Sequence, residues 1–183
     1  TSLSLCLLEN LKRGINYQEI ANGMLKWLDE GYITPFGRSF DAGFTTAEAI
    51  GNIRAKKLPA VKCGICTEEA NGNGSLMRIL PLAFYVKDKA FTDRISIIKD
   101  ISSITHGHWK SVVSCIILIE FAIELINGFD LKQAYINSTN RRKDKQADIT
   151  NLFGNSDMNI LEYEETFSKI LSLELAELPE NQI

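Results

Sequence analysis

Asn71-Gly72-Asn73-Gly74-Ser75-Leu76-Met77-Arg78 is the stretch on which the fold class turns. Asn73-Gly74 is a favoured two-residue hairpin turn, and a hairpin would put strands into the chain. The preceding Thr67-Glu68-Glu69-Ala70 shows no alternation of apolar and polar residues, and the run from Leu76 to Tyr85 has the character of a helix. The stretch therefore reads as a glycine-rich turn opening a helix, its two glycines freeing the backbone. Such a turn leaves several N–H groups unpaired and pointing one way. With the helix dipole they attract an anion, above all a phosphate. Ser75 can cap the helix or donate to a ligand, and Arg78, one turn in, offers a second cation. A helix start with no function can look the same, so the stretch needs support from elsewhere.

Towards the N-terminus, Leu3, Leu7, Leu8 and Leu11 form an amphipathic stripe that ends at Gly14. Asn16 stands three before Glu19, a capping-box spacing. The next helix puts Ile20, Met24, Trp27 and Leu28 on one face and stops at Gly31. Gly31 to Thr46 is a loop with its own polar set, Arg38, Ser39, Asp41, Thr45 and Thr46. Thr45 or Thr46 is expected to cap a helix through about Lys56. Towards the C-terminus, the helix after Gly74 is expected to reach about Lys87, kinked or broken at Pro81. Thr92 to Ile104 repeats Ile95, Ile98 and Ile101 on one face. Trp109 to Asn127 is the most apolar helix, with Gly128 as its C-terminal cap. Asp130 caps a further helix to about Asn140. Arg141 to Ser156 reads as a solvated linker, and Asn159 to Glu177 as a last helix ended by Pro179. No strand or repeat stands out, so the fold class is all-α, a single domain over 1–183.

The bulk numbers set limits. A hydrophobic content of 45% is ample for a core, and a net charge of −3 gives no basic face for a nucleic-acid backbone. The run from Val112 to Ile119 is too short to span a bilayer. Four cysteines are too few for a secreted disulfide scaffold, and a reducing compartment, the cytoplasm, is expected. Cys6 and Cys115 sit in apolar helical runs as buried thiols. With Thr1 first and no initiator Met, the chain is expected to come from a larger or processed product.

Three constellations could carry chemistry. Cys63-Gly64-Ile65-Cys66 has metal or redox spacing, but no second pair completes a four-ligand site, and two ordinary loop thiols are the better reading. His106 and His108 diverge on a helix but share a face in an extended segment; they suit a ligand, or are surface imidazoles beside a capping Thr105. Asp41, between Phe40 and Gly43, is the best single carboxylate, although a loop Asp is usually a turn residue. Asp29, Glu30, Glu68 and Glu69 look solvated.

Taken together these stretches resemble the ADP-ribosylglycohydrolase family. Thr1-Ser2-Leu3-Ser4-Leu5-Cys6 resembles the segment after that family's paired-aspartate metal motif. Phe40-Asp41-Ala42-Gly43 with Thr45 resembles its Phe-Asp-x-Gly loop. Gly72-Asn73-Gly74-Ser75-Leu76-Met77-Arg78, then Pro81, is similar to its glycine signature, and Thr105-His106-Gly107-His108 to its Thr-His-x-His segment. The likeness is good to about Asn127 and weak beyond.

The resemblance implies an all-α orthogonal bundle that hydrolyses the bond between the anomeric carbon of ADP-ribose and an acceptor. It implies Asp41 as a catalytic group near the scissile ribose. Gly72, Asn73, Gly74, Ser75, Met77, Arg78, His106 and His108 would bind substrate, with the glycine turn on the diphosphate and an adenine near His106 or Phe44. Complete members use two Mg2+ or Mn2+ ions. Their aspartate motifs are absent from this sequence, so no metal ligand is assigned and the chain is expected to be a fragment with little or no activity. The alternatives are a non-catalytic ADP-ribose binder, or a helical module that has lost the site and self-associates through exposed apolar surface. Expected partners are ADP-ribose or an ADP-ribosylated protein, with no nucleic acid and no membrane.

Overall fold

The computed structural model describes residues 2–154 and 158–172. Among these it holds ten α-helices: α1 Ser2–Leu11, α2 Tyr17–Glu30, α3 Phe44–Ala55, α4 Leu76–Ile79, α5 Leu82–Val86, α6 Phe91–Ser103, α7 Trp109–Ile126, α8 Leu131–Asp144, α9 Gln146–Asn151 and α10 Ile160–Leu171. The fold is all-α. No strand is formed among the described residues, and one isolated parallel bridge joins Ile65 to His106. No helix there is long and apolar enough to cross a membrane. Thr1 and the predicted helix end at Glu177 and Pro179 lie outside the described residues.

Local chemistry explains the boundaries. The Asn16 side chain accepts from the N–H groups of Gln18 and Glu19 at the start of α2. Gly31 ends that helix in the left-handed region, φ 67°, where a Cβ would lie 2.2 Å from the Gly37 carbonyl carbon. Asp130 Oδ1 accepts from Gln133 N–H at 2.8 Å to open α8. The break between α4 and α5 falls at Leu80–Pro81, where proline withdraws a donor.

The chain divides into two compact units, Thr1–Ile119 and Glu120–Ile183. In the first, Leu7, Ile20, Met24, Ile50, Ile79, Ile98, Ile101 and Ile116 are almost wholly buried. Each contributes about 1.5–3 kcal/mol relative to exposure. α1 packs on α2 and α4, and α4 also touches α6. In the second unit, Ala134, Ile149, Met158, Tyr163 and Phe167 are buried, with the last two rings 5.6 Å apart.

Two expectations are corrected. Neither Thr45 nor Thr46 caps α3: Gly43 is its N-cap, no side chain bonds there, and Thr46 is buried. Arg141 to Ser156 is not a solvated linker as far as it is described. α8 continues to Asp144 and α9 follows, because no Gly or Pro interrupts the chain before Gly154. Two of its charged residues turn inward, while Lys143, Asp144 and Lys145 stay exposed. Arg141 reaches Glu120 at 3.2 Å and Glu124 at 2.6 Å, both buried, and Arg142 is 1% exposed with Nη2 donating to Thr139 Oγ1.

Candidate functional site

The turn before α4 is compact. Asn71 Nδ2 donates to the Glu68 carbonyl at 2.8 Å, and Met77 N–H donates to the Asn73 carbonyl at 2.9 Å. Its glycines are there for a reason other than backbone freedom, since neither adopts a positive φ. A Cβ on Gly74 would lie 2.7 Å from His106 Cε1, and one on Gly72 would lie 3.5 Å from His106 Nε2. The imidazole is the floor of the turn.

His106 is 2% exposed, and its Nδ1 shares a 2.8 Å hydrogen bond with Thr105 Oγ1. Burial, with the nearby Arg78 charge, pushes it down to about 4, so the ring is neutral at pH 7. It is therefore not a surface imidazole, and its face is closed to a stacking base. Thr105 bonds the ring rather than capping α7.

Arg78 is not a cation held out to a ligand. It is 2% exposed, and its Nη2 donates to the carbonyls of Ile101 at 3.0 Å and Ser102 at 3.4 Å. It ties α4 to the end of α6 and so to the His106 segment. Burial lowers its pKa to about 10, and its Nε and Nη1 have no hydrogen-bond partner. Ser75 is also buried. Its side chain makes no cap; instead the hydroxyl accepts from the Cys115 thiol at 3.5 Å.

Cys63 to Cys66 braces the histidine segment. Gly64 N–H donates to Ser103 O, Ile65 N–H to Thr105 O and Gly107 N–H to Ile65 O, all within 3.1 Å. Gly64 has no room for a Cβ, which would meet the Ser103 carbonyl oxygen at 2.2 Å; on Gly107 it would meet Cys66 Sγ at 2.5 Å. The Cys63 thiol is buried and pushed up by that burial. In the sequence, only Gly64 and Gly107 themselves mark this close approach.

His108 parts company with His106. Its Nε2 lies 3.3 Å from Glu68 Oε2, and Lys110 Nζ lies 2.5 Å from Glu68 Oε1. Glu68 is thus paired rather than merely solvated. The Lys110 hydrogen bond holds its carboxyl below the ordinary range. Asp29 is likewise paired, with Arg54.

Two hollows meet the turn. One of about 230 Å³ is lined by Asp41, Phe40, Trp27 and Thr46 with Gly74, Met77 and Arg78. Asp41 is exposed and in the left-handed region, φ 54°. The other, about 100 Å³, is lined by Gly72, Asn73 and Ser75 with Asn71, Leu76, Lys110, Ser111 and Ser114. The first joins Asp41 to the glycine signature across more than thirty residues of sequence. His108 lines neither. Lys110 and Ser111 went unnoticed in the sequence, where only their place in the first turn of an apolar helix marks them. Among the described residues no three His, Cys, Asp or Glu side chains gather as a metal-ion set. The described side chains do not supply the gathered carboxylates that a binuclear Mg2+ or Mn2+ centre needs.

Comparison with known proteins follows the same outline. The sequence model of the ADP-ribosylglycohydrolase family matches residues 1–178. The chain is similar to an ADP-ribosylarginine hydrolase, Tri1, of Pseudomonas putida (strain GB-1), with 27% identity over 135 residues. That match covers 73% of this chain and 36% of the relative, so the chain spans little more than a third of the relative's length.

Proposed function

We propose that this chain, which belongs to the ADP-ribosylglycohydrolase family, binds ADP-ribose around the turn before α4 and serves hydrolysis of the bond between ADP-ribose and an acceptor side chain. The observation that carries it is the shared hollow of Asp41, Gly74, Met77 and Arg78 beside the cleft of Gly72, Asn73 and Ser75. A ribose in the first and phosphates along the second would straddle one turn. As the acceptor leaves, positive charge develops at the anomeric carbon. The exposed Asp41 carboxylate is placed to orient a ribose hydroxyl or to stabilise that charge. Arginine is the acceptor we favour, on similarity to the arginine-directed relative.

Binding is the part these residues supply by themselves. We expect little turnover by this chain alone, since the sequence carries neither the paired-aspartate motif nor the Asp-x-Asp-Thr motif with which complete family members hold metal. Work in the cytoplasm is also proposed, on the low cysteine content of the sequence.

Calorimetry with ADP-ribose tests the binding. We expect micromolar affinity that collapses in Gly74→Val, and no heat at millimolar ligand would reject it. A second assay measures ADP-ribose released from ADP-ribosylarginine with Mg2+ or Mn2+ added. Release at background is expected, and robust metal-dependent release would show that the chain carries the full reaction. In that event Asp41→Asn is expected to slow it by about 100-fold, the scale of a positioned acid–base group.

A further inference from the structure

We propose that Lys110 and Ser111, in the first turn of α7, are the diphosphate-recognition residues of the second cleft, and that Glu68 holds Lys110 in waiting for the ligand. This rests on the ADP-ribose reading but concerns residues outside the stretches that suggested it.

The cleft has two walls. The Asn71–Leu76 turn forms one, and Lys110, Ser111 and Ser114 form the other. α7 has 18 residues, so its N-terminus carries a full helix dipole, positive at this end. An independent observation points to a ligand. Ser111 is 6% exposed, and its Oγ is buried without a hydrogen-bond partner. An orphaned buried hydroxyl is a standing cost that a bound acceptor would relieve. Asn71 Oδ1, on the opposite wall, is also buried and unsatisfied, and it is an acceptor suited to a hydroxyl next to the phosphates.

Lys110 supplies the charge. Its Nζ lies on Glu68 Oε1, whose carboxylate also meets His108 Nε2. Glu68 is 60% exposed, and such an ion pair is worth little in water. Exchanging one carboxylate for a doubly charged diphosphate therefore costs the lysine almost nothing. The nearby groups are of mixed sign: Lys110 favours an anion and Glu68 opposes it, while buried His106 is neutral. Glu68 thus acts as a competitor that tunes affinity.

Inorganic pyrophosphate, ADP-ribose and adenosine are titrated calorimetrically into the wild-type chain and into Lys110→Gln, Ser111→Ala and Glu68→Gln, at low and moderate salt. Lys110→Gln is expected to weaken pyrophosphate and ADP-ribose by about 10-fold and to flatten the salt dependence, with adenosine unchanged. Glu68→Gln is expected to tighten both by a few-fold. Circular dichroism melts show whether each variant is folded. A folded Lys110→Gln that takes pyrophosphate with wild-type affinity and salt slope overturns the proposal, as does a wild-type chain that takes no pyrophosphate. If pyrophosphate binds through Lys110 and ADP-ribose does not, the anion site stands and the ADP-ribose reading falls.

Discussion

A Cβ on Gly74 would lie 2.7 Å from His106 Cε1 and 3.0 Å from Thr46 Oγ1, closer than settled side chains approach. At residue scale, that makes the glycine a requirement of space. Gly74→Ala must displace the imidazole, and overpacking of this kind costs about 1–3 kcal/mol. Urea unfolding should show that loss, with an unchanged slope. The sequence displayed the glycine but not what lies beneath it, because His106 is more than thirty residues away. His106 makes a second residue-scale prediction. Its folded pKa is about 4, against 6.5 for the unfolded imidazole. Between these values the unfolded chain binds the extra proton, so stability present above pH 6.5 is lost as pH falls towards 4, by roughly 3 kcal/mol in full. His106→Asn is expected to be less stable at pH 7 and to lose less on acidification. A wild-type profile flat from pH 7 to pH 4.5 would contradict the assignment.

At the scale of elements, Pro81 and the capping residues Asn16, Gly31 and Asp130 act within a few positions of themselves, which is why helix ends and the α4–α5 break could be read from the chain. The polar segment after Asn140 could not. A run of Arg and Lys looks the same whether it meets water or carboxylates. What decides is that Glu120 and Glu124, one turn apart near the end of α7, are buried and need a cation. Arg141 answers both, and Asn137 Nδ2 donates to Glu124 at 3.0 Å. Arg141→Met leaves two buried carboxylates short of their partner. The expected loss is about 2–3 kcal/mol, below the range for a fully buried pair because Arg141 is 34% exposed. Thermal unfolding measures it, and Arg141→Lys should recover part of it. An unchanged melting temperature in Arg141→Met would mean that water already serves those carboxylates.

At the scale of the molecule, the first unit leaves much apolar surface in water. Phe36, Phe40 and Phe44 are 76%, 72% and 82% exposed, and Met77 and Phe84 are each 66% exposed. Aromatic exposure on this scale marks a surface that meets something. Concentration-dependent self-association is expected in sedimentation velocity. The triple substitution Phe36→Ser, Phe40→Ser, Phe44→Ser should reduce it while leaving the melting temperature within about 1 °C, since exposed side chains contribute little to the fold. A strictly monomeric wild type at high concentration would remove the self-association reading and leave those rings to another partner.

Helical periodicity, capping residues and the absence of alternation determined the all-α class from the sequence alone, because those signals are local. The order and spacing of Asp41, the glycine stretch and the histidine segment were likewise enough to suggest the family. Tertiary structure alone decided which of these residues are buried and which line the hollows. It buried His106, Arg78 and Ser75 beneath the turn, with Arg78 and Ser75 still edging the two hollows, and it brought Lys110 and Ser111 to the cleft. The reason is physical: a side chain's exposure depends on what the fold lays against it, and those neighbours come from distant parts of the chain.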